Sequence, residues 1–467
     1  MAQSRKILTS AQEAVLPSKA SALQCQLQCQ RVVLDNGLVL LVTENPVADI
    51  VAARFFIDAG SGRERREQAG LSHLVASVLT KGTQSATAKA IAAEVESTGA
   101  NLGVESTPDY FLLSLKTVTS DFAAMLKLAA QILQTPTFPE AELVLEQKLT
   151  LQAIRARQEQ PMAIALQQLR LAMYPDHPYG QPSLGSSESV TSLAQADLGR
   201  FHAQYFRPES TILSIAGNLA LEDALALVTE HFLPWRPAFL PPQAQPSAPS
   251  QSQSQSQSPS QPSTSSTPSA IAPSPTCTDT VQDNQQSIVM LGYPTASVRD
   301  ADHAALKVLF TYLCGGLSSR LFTELREKRG LAYEVSGLYP TRRDPSHFLV
   351  YLGTAAENTA IAQTLLQAEM QRLAAQPLSD PELNAAKTKL LGQYALGKQT
   401  NHQIAHAFGW YEALGLGIDY ERRFPELIQA VTAEQAHQAA QRYFGQPFIS
   451  RVGPEAALRL SQTYPQA

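Results

Sequence analysis

Phe111-Leu112-Leu113-Ser114-Leu115 is followed by an amphipathic stretch from Asp121 to Gln134 and by Pro136-Thr137-Phe138-Pro139-Glu140-Ala141-Glu142-Leu143. The same series returns later as Phe348-Leu349-Val350-Tyr351-Leu352, a stretch from Thr359 to Leu373, and Gln376-Pro377-Leu378-Ser379-Asp380-Pro381-Glu382-Leu383. In both copies an apolar strand-like run gives way to a run with helical periodicity. A Pro-containing turn with Glu-Leu then opens the next helix. The spacing predicts an internally duplicated α+β unit. Further strands are expected at Val32 to Thr43 and Ala52 to Asp58, answered by Gln286 to Gly292 in the second copy. The predicted fold is therefore α+β, with two homologous domains, each a mostly antiparallel sheet backed by helices.

Between the copies, residues 237 to 280 contain Pro-Pro-Gln-Ala-Gln-Pro, a Gln-Ser repeat from Gln251 to Ser258, and Ser-Thr-Ser-Ser-Thr-Pro. Such a composition has almost nothing to bury and reads as a disordered tether. As a flexible coil it would span on the order of tens of ångströms, so the flanking halves could face one another without a fixed angle. Each half is then expected to carry its own core. The resulting domains are an N-terminal extension at 1–30, a first domain at 31–236, the tether at 237–280 and a second domain at 281–467.

A length of 467 residues with 44% apolar composition is enough for more than one core. A formal charge of −5 is mild and argues against a nucleic-acid partner. No apolar run approaches the roughly 18 residues of a membrane span, and no apolar segment follows Met1-Ala2-Gln3-Ser4-Arg5-Lys6. A soluble, cytoplasmic protein is expected, with an unfamiliar targeting segment conceivable within Lys19 to Cys29. The four cysteines make no disulfide framework. Cys25 and Cys29 read as chance neighbours, Cys277 falls in the tether, and Cys314 packs in a helix.

Two stretches carry the chemistry. Gly70-Leu71-Ser72-His73-Leu74-Val75-Ala76-Ser77 places one histidine on an otherwise apolar helix. By itself that is a packed or solvated imidazole. Gly315-Gly316-Leu317-Ser318-Ser319-Arg320-Leu321-Phe322-Thr323-Glu324-Leu325-Arg326-Glu327-Lys328-Arg329-Gly330-Leu331-Ala332-Tyr333 is far more specific. It resembles the C-terminal-half signature of the pitrilysin/insulinase family of zinc peptidases, which includes mitochondrial processing peptidase and the core proteins of the bc1 complex. Leu34-Asp35-Asn36-Gly37-Leu38, Phe56-Ile57-Asp58-Ala59-Gly60-Ser61-Gly62-Arg63 and Lys81-Gly82-Thr83 are similar to the family's N-terminal half.

The resemblance implies an H-x-x-E-H helix at His73, where the family carries two zinc ligands and a general base on one helical face. Here Ala76 and Ser77 stand at the base and second-ligand positions. The family's third ligand, a Glu on a later helix, falls at Ala153. A single imidazole cannot supply the roughly three protein ligands that catalytic zinc needs, so no metal is expected in this chain. Glu142 and Glu146 read as solvated helix face. His402 and His406, at i and i+4, lack both a general-base Glu and an evident third ligand; they read as partly exposed imidazoles on a helix crossing the domain.

In the family, an Arg and a Tyr spaced as Arg326 and Tyr333 point into the active chamber to hold a substrate carbonyl and its oxyanion. The resemblance thus implies a non-catalytic, substrate-binding subunit of a two-subunit zinc metallopeptidase. A homologous partner would carry the complete H-x-x-E-H site and the zinc, and the two chains would close as a clam-shell heterodimer on peptides or unfolded segments. Arg326 and Tyr333 would assist in trans, and the chain would be inactive alone. The alternatives are a scaffold like the bc1 core proteins and, with less support, an autonomous metallopeptidase.

Overall fold

The computed structural model describes residues 28–236 and 274–460. The first half contributes strands β1 (Cys29–Val33), β2 (Val39–Glu44), β3 (Ile50–Ile57), β4 (Asn101–Ser106), β5 (Phe111–Val118) and β6 (Thr211–Gly217). Its helices are α1 (Leu71–Val78), α2 (Ala88–Ser97), α3 (Phe122–Gln134), α4 (Glu140–Gln158), α5 (Pro161–Met173), α6 (Ser187–Ser192), α7 (Gln195–Tyr205) and α8 (Leu221–Phe232). The second half contributes β7 (Cys277–Val281), β8 (Gln286–Thr295), β9 (Glu334–Leu338), β10 (Ser346–Ala355) and β11 (Phe448–Gly453). Its helices are α9 (His303–Cys314), α10 (Thr359–Ala375), α11 (Asp380–Leu396), α12 (Asn401–Ala413), α13 (Tyr420–Ala430), α14 (Ala433–Tyr443) and α15 (Glu455–Leu460), with a π-helical turn at Phe322–Glu327.

The strand orders are β1-β2-β6-β3-β5-β4 and β7-β11-β8-β10-β9. Removing β1 makes the two sheets superimposable in topology. In each, one parallel pair (β2 with β6, β7 with β11) is followed by antiparallel pairs only. The expected duplication and the mostly antiparallel character are both observed. The strand-then-helix series also falls where the pattern predicts, as β5, α3 and α4 and again as β10, α10 and α11.

Two expected boundaries are corrected. Residues 277–280, assigned to the tether, lie in β7, and Cys29, assigned to the extension, opens β1. Both are edge strands with mostly exposed or half-buried residues, so neither carries the apolar run that betrays a central strand. Cys277 is therefore a strand residue. The rest of the tether, residues 237–273, and Cys25 lie outside the described residues.

The larger correction concerns the cores. Val51, Ala53, Phe55 and Ile57 of β3 pack with α1, α3 and α8 in a core built from the first half alone. The opposite face of that sheet is covered from the second half: Leu41, Ala52 and Ala216 join the cluster holding Ile404, Ala405 and Phe408 of α12. Reciprocally, Ala165, Leu169 and Met173 of α5 pack on Met290, Leu349, Phe448 and Val452 of the second sheet. The halves thus exchange equivalent helices, each laid across the two equivalent central strands of the other's sheet. Full burial of a Leu, Ile or Phe is worth about 1.5–3 kcal/mol, so neither sheet reaches its native burial without the other half. Polar links reinforce the exchange. Asn401 donates to the Ile50 carbonyl (2.8 Å), Arg343 donates to Asp58 (2.9 Å), and the Tyr174 hydroxyl meets His347 Nδ1 (3.1 Å).

Candidate functional site

The positions that would hold a metal lie on α1 and α4, which pack together. Gly70, at φ 94°, precedes α1, and a Cβ there would meet the Leu184 carbonyl at 2.6 Å. The helix is capped from a distance. The Glu64 carboxylate accepts from the backbone N–H of Gly70 (2.9 Å) and Ser72 (2.6 Å), satisfying amides that the first turn leaves unpaired. Burial nonetheless pushes the Glu64 carboxyl up to about 7, against the pull of those donors.

His73 is half-buried on α1, and its protonation is disfavoured by burial and by the nearby Arg157 guanidinium. Ala76 is buried, and the Ser77 hydroxyl donates to the His73 carbonyl (3.0 Å) within its own helix. Ala153 is exposed on α4, and Arg157 follows it by one helical turn. A lone imidazole, two methyl groups, an engaged hydroxyl and a guanidinium do not fit a divalent cation. Among the described residues, no cluster of three His, Cys, Asp or Glu side chains could hold one. Glu146, expected on a solvated face, instead pairs with Lys81 just beyond α1 at 3.5 Å, its side chain only 15% exposed. Glu142 is half-buried near the start of α4.

The second stretch folds as the π-helical turn followed by β9. Leu321 and Leu325 are buried in the second core. Glu324, also buried, receives Arg320 (3.1 Å), Lys328 (2.7 Å) and Arg329 (3.1 Å), while Arg320 also grips Glu369 of α10 with two hydrogen bonds (2.9 and 3.2 Å). Four of the motif's charges, Arg320, Glu324, Lys328 and Arg329, are thus used in fixing the turn, Arg320 tying it to α10, while Glu327 stays exposed. Arg326 is left exposed on that turn, its guanidinium 5.0 Å from the Phe322 ring centroid and in no ion pair among the described residues. Tyr333 is 60% exposed, its backbone N–H donating to the Gly353 carbonyl (2.9 Å). Among the described residues no hydrogen bond or ion pair joins Arg326 or Tyr333 to His73 or to Ala153.

Each half therefore sets an edge strand beside its signature segment. β4 pairs only with β5 and packs beside α1, and β9 pairs only with β10 and packs beside the π-helical turn. An edge strand carries unpaired N–H and C=O groups that an extended peptide can use.

His402 and His406 project from α12 toward the first sheet, where Arg54 of β3 donates to His402 Nε2 and to the Ser114 hydroxyl. Burial, then the Arg54 charge, holds both imidazoles toward the neutral form, His406 at about 4. A guanidinium occupies the place a metal would need. Arg54 was not among the candidates read from the sequence. Its signal was available, however, as the one charge in Ile50-Val51-Ala52-Ala53-Arg54-Phe55-Phe56-Ile57, because a lone cation in a strand apolar on both faces needs a buried partner.

The duplicated sheets, with an edge strand beside each signature segment, define a protein of peptidase-like fold. Residues 39–187 match the sequence model described as insulinase (peptidase family M16), and residues 192–390 match that described as peptidase M16 inactive domain. The chain belongs to the insulinase family. The word inactive in the second description attaches to residues 192–390, whereas His73, Ala76, Ser77 and Ala153 fall within the first match. An uncharacterized zinc protease of Mycobacterium leprae is 27% identical over 441 residues, covering 91% of this chain and 92% of its own. One from Bacillus subtilis is 24% identical, covering 90% and 96%. Among solved structures, a peptidase M16 inactive domain from Pseudomonas fluorescens superimposes with a TM-score of 0.80 at 25% identity, covering 92% of this chain and 98% of its own. A protease from Helicobacter pylori has the same fold, with a TM-score of 0.80 at 20% identity, over 91% and 99%. No helix among the described residues is long and apolar enough to cross a membrane.

Proposed function

We propose that this chain is the substrate-binding, transition-state-assisting subunit of a two-chain zinc peptidase whose homologous partner carries an intact H-x-x-E-H helix and the metal. The observation that carries the reading is the contrast between the halves. The first has Ala76, Ser77 and Ala153 where the family carries ligands and base, while the second leaves Arg326 and Tyr333 exposed and anchors the turn that bears Arg326 through Arg320, Glu324, Lys328 and Arg329. A guanidinium and a phenol are donors suited to a peptide carbonyl and to the oxyanion that forms from it. The β4 and β9 edges would hold the substrate backbone, which favours extended segments over folded ones.

The test is reconstitution. The purified chain should retain no stoichiometric zinc and cleave no peptide, whereas mixing it with an H-x-x-E-H homologue from the same source should produce cleavage that neither chain shows alone. A zinc-dependent peptidase activity in this chain by itself would refute the reading.

A further inference from the structure

Two contacts fix how α4 lies against α1. At one end Glu146 pairs with Lys81, just beyond the C-terminus of α1. At the other, Arg157 Nη1 donates to the Ser183 hydroxyl (3.3 Å), and the carbonyl of the next residue, Leu184, lies against Gly70 at the N-terminus of α1. The two helices therefore run antiparallel. With a rise of about 1.5 Å per residue in each, stepping back from Lys81 to His73 and forward from Glu146 by the same length sets His73 level with the turn from Ala153 to Arg157. The Arg157 charge, which disfavours protonation of His73, agrees with that register.

This turn of α4 lacks a counter-charge. Ala153, Arg155, Ala156 and Arg157 are all exposed, and neither arginine forms an ion pair among the described residues. The acids nearby do not neutralise them. Glu146 is held by Lys81, Glu64 by the Gly70 and Ser72 amides, and Glu159 is exposed just past the helix without an ion pair. A cation in the last turn of a helix also suits the helix's own carbonyls. That role would serve for Arg155 equally, whereas Arg157 alone is anchored, through Nη1 on Ser183, beside an imidazole and an exposed methyl group. Its Nε and Nη2 have no partner among the described residues.

We propose that the place where the family carries its metal is here a carboxylate-binding site built from Arg157 and His73, and that its ligand is a carboxylate of a bound peptide. The reading of this position, and the choice of a peptide as the bearer, rest on the function proposed above. A guanidinium offers a planar fork of donors that matches the two oxygens of a carboxylate, and a neutral imidazole adds one further N–H. Ala153, with no side chain beyond its methyl group, leaves the approach from α4 open. The free edge of β4 lies beside α1, so an extended peptide on that edge runs along the helix that bears His73. A fixed cation of the chain itself would thus anchor the peptide on this side of the two-chain complex, with preference for an acidic residue or a C-terminus.

The experiment follows the alanine methyl NMR signals of the full-length chain, those of the two key alanines assigned with Ala76→Ser and Ala153→Ser. Acetylated trialanine with a free C-terminal carboxylate, its amide twin, and an amide with a central glutamate are titrated in turn. At least one carboxylate-bearing peptide should shift the Ala153 signal saturably and bind at least about tenfold more tightly than the amide twin. Which of them does so tells a terminal carboxylate from a side-chain one. Arg157→Gln should abolish the preference with the distant methyl signals in place, and Arg155→Gln, which removes the same charge from the same turn, should keep it. Equal affinity for all the peptides at Ala153 overturns the carboxylate site while the peptide contact stands. The absence of any saturable shift, or a preference that survives Arg157→Gln, overturns it as well. Neither a partner chain nor cleavage enters the measurement, so a failed reconstitution and a failed carboxylate site are told apart.

Discussion

Gly409 of α12 lies directly on the ring of Phe56 in β3, so that a Cβ built at Gly409 would stand 2.3 Å from the Phe56 ring. Phe56 is 1% exposed and also packs against Tyr110 and His406, so it has nowhere to go. This contact lets a helix of one half approach the sheet of the other. On the equivalent face of the second sheet, Gly292 of β8 meets Leu169 of α5 in the same way, a built Cβ coming within 2.7 Å of that side chain.

Gly409→Ala should therefore destabilise the protein by about 1–3 kcal/mol, the usual cost of overpacking a rigid site, despite the roughly 1 kcal/mol that alanine normally gains over glycine within a helix. Gly392, within α11, supplies the contrast, because a Cβ there meets nothing within 4 Å. Gly392→Ala should be neutral or stabilising. Urea denaturation of both variants checks the pair, and equal shifts would mean that the α12 contact is looser than described.

Helix exchange also changes what cutting the chain does. The Gln, Ser and Pro composition of residues 237–273 makes that segment the expected first target of limited proteolysis. The two fragments should then co-elute on size-exclusion chromatography, because α5 and α12 each finish the other half's core. Either fragment expressed alone should be unstable or aggregated. Two independently stable, freely separating fragments would contradict the exchange.

Glu64 predicts a pH effect of definite sign. Its carboxyl lies near 7 in the folded protein because burial outweighs its amide donors, against an ordinary value of 4.5. Between those values the folded chain holds a proton that the unfolded chain has lost, so stability falls as pH rises from about 4.5 to 7. The contribution should be roughly 1–3 kcal/mol, fully present below 4.5 and lost above 7. In Glu64→Gln this component should vanish, visible as a smaller difference between urea midpoints at pH 5 and pH 8. An unchanged difference would show that Glu64 stays ionised throughout, stabilised by the α1 amides.

Much of this architecture is legible in the sequence because duplication and periodicity are local patterns. β5, α3 and their later counterparts announce themselves through apolar spacing, and α4 and α11 through the Pro-containing turn with Glu-Leu that opens them. The runs Phe55-Phe56-Ile57 and Phe348-Leu349-Val350 even indicate strands covered on both faces. Apolarity does not say by which helix, however, so the exchange of α5 and α12 has no signature in the chain. For the same reason the pairing of Arg54 with His402, and of Lys81 with Glu146, is invisible to spacing arguments. Edge strand β7 and the first residues of β1, Cys29 to Arg31, escape notice because none of their residues is fully buried. The reading of Ala76, Ser77 and Ala153 comes from the family resemblance, because spacing alone leaves His73 an ordinary imidazole on an apolar helix.

The role proposed for the exposed pair rests on Arg326 and Tyr333 acting in trans. Arg326 has no ion pair among the described residues, and the Tyr333 side chain is 60% exposed, so removing either group should cost little stability; exposed positions without special contacts usually change it by about 0.5 kcal/mol or less. In a reconstituted two-chain complex, Arg326→Ala or Tyr333→Phe should lower turnover by about 10- to 1,000-fold, the scale of losing one oxyanion-type donor. Circular dichroism and subunit association should match the parent. Arg320→Ala is the informative contrast, because Arg320 ties Glu324 to Glu369 and its loss should loosen the turn, lowering stability together with turnover. If the Arg326 and Tyr333 variants assemble normally and cleave at the parental rate, the chain acts as a scaffold and the assisting role fails.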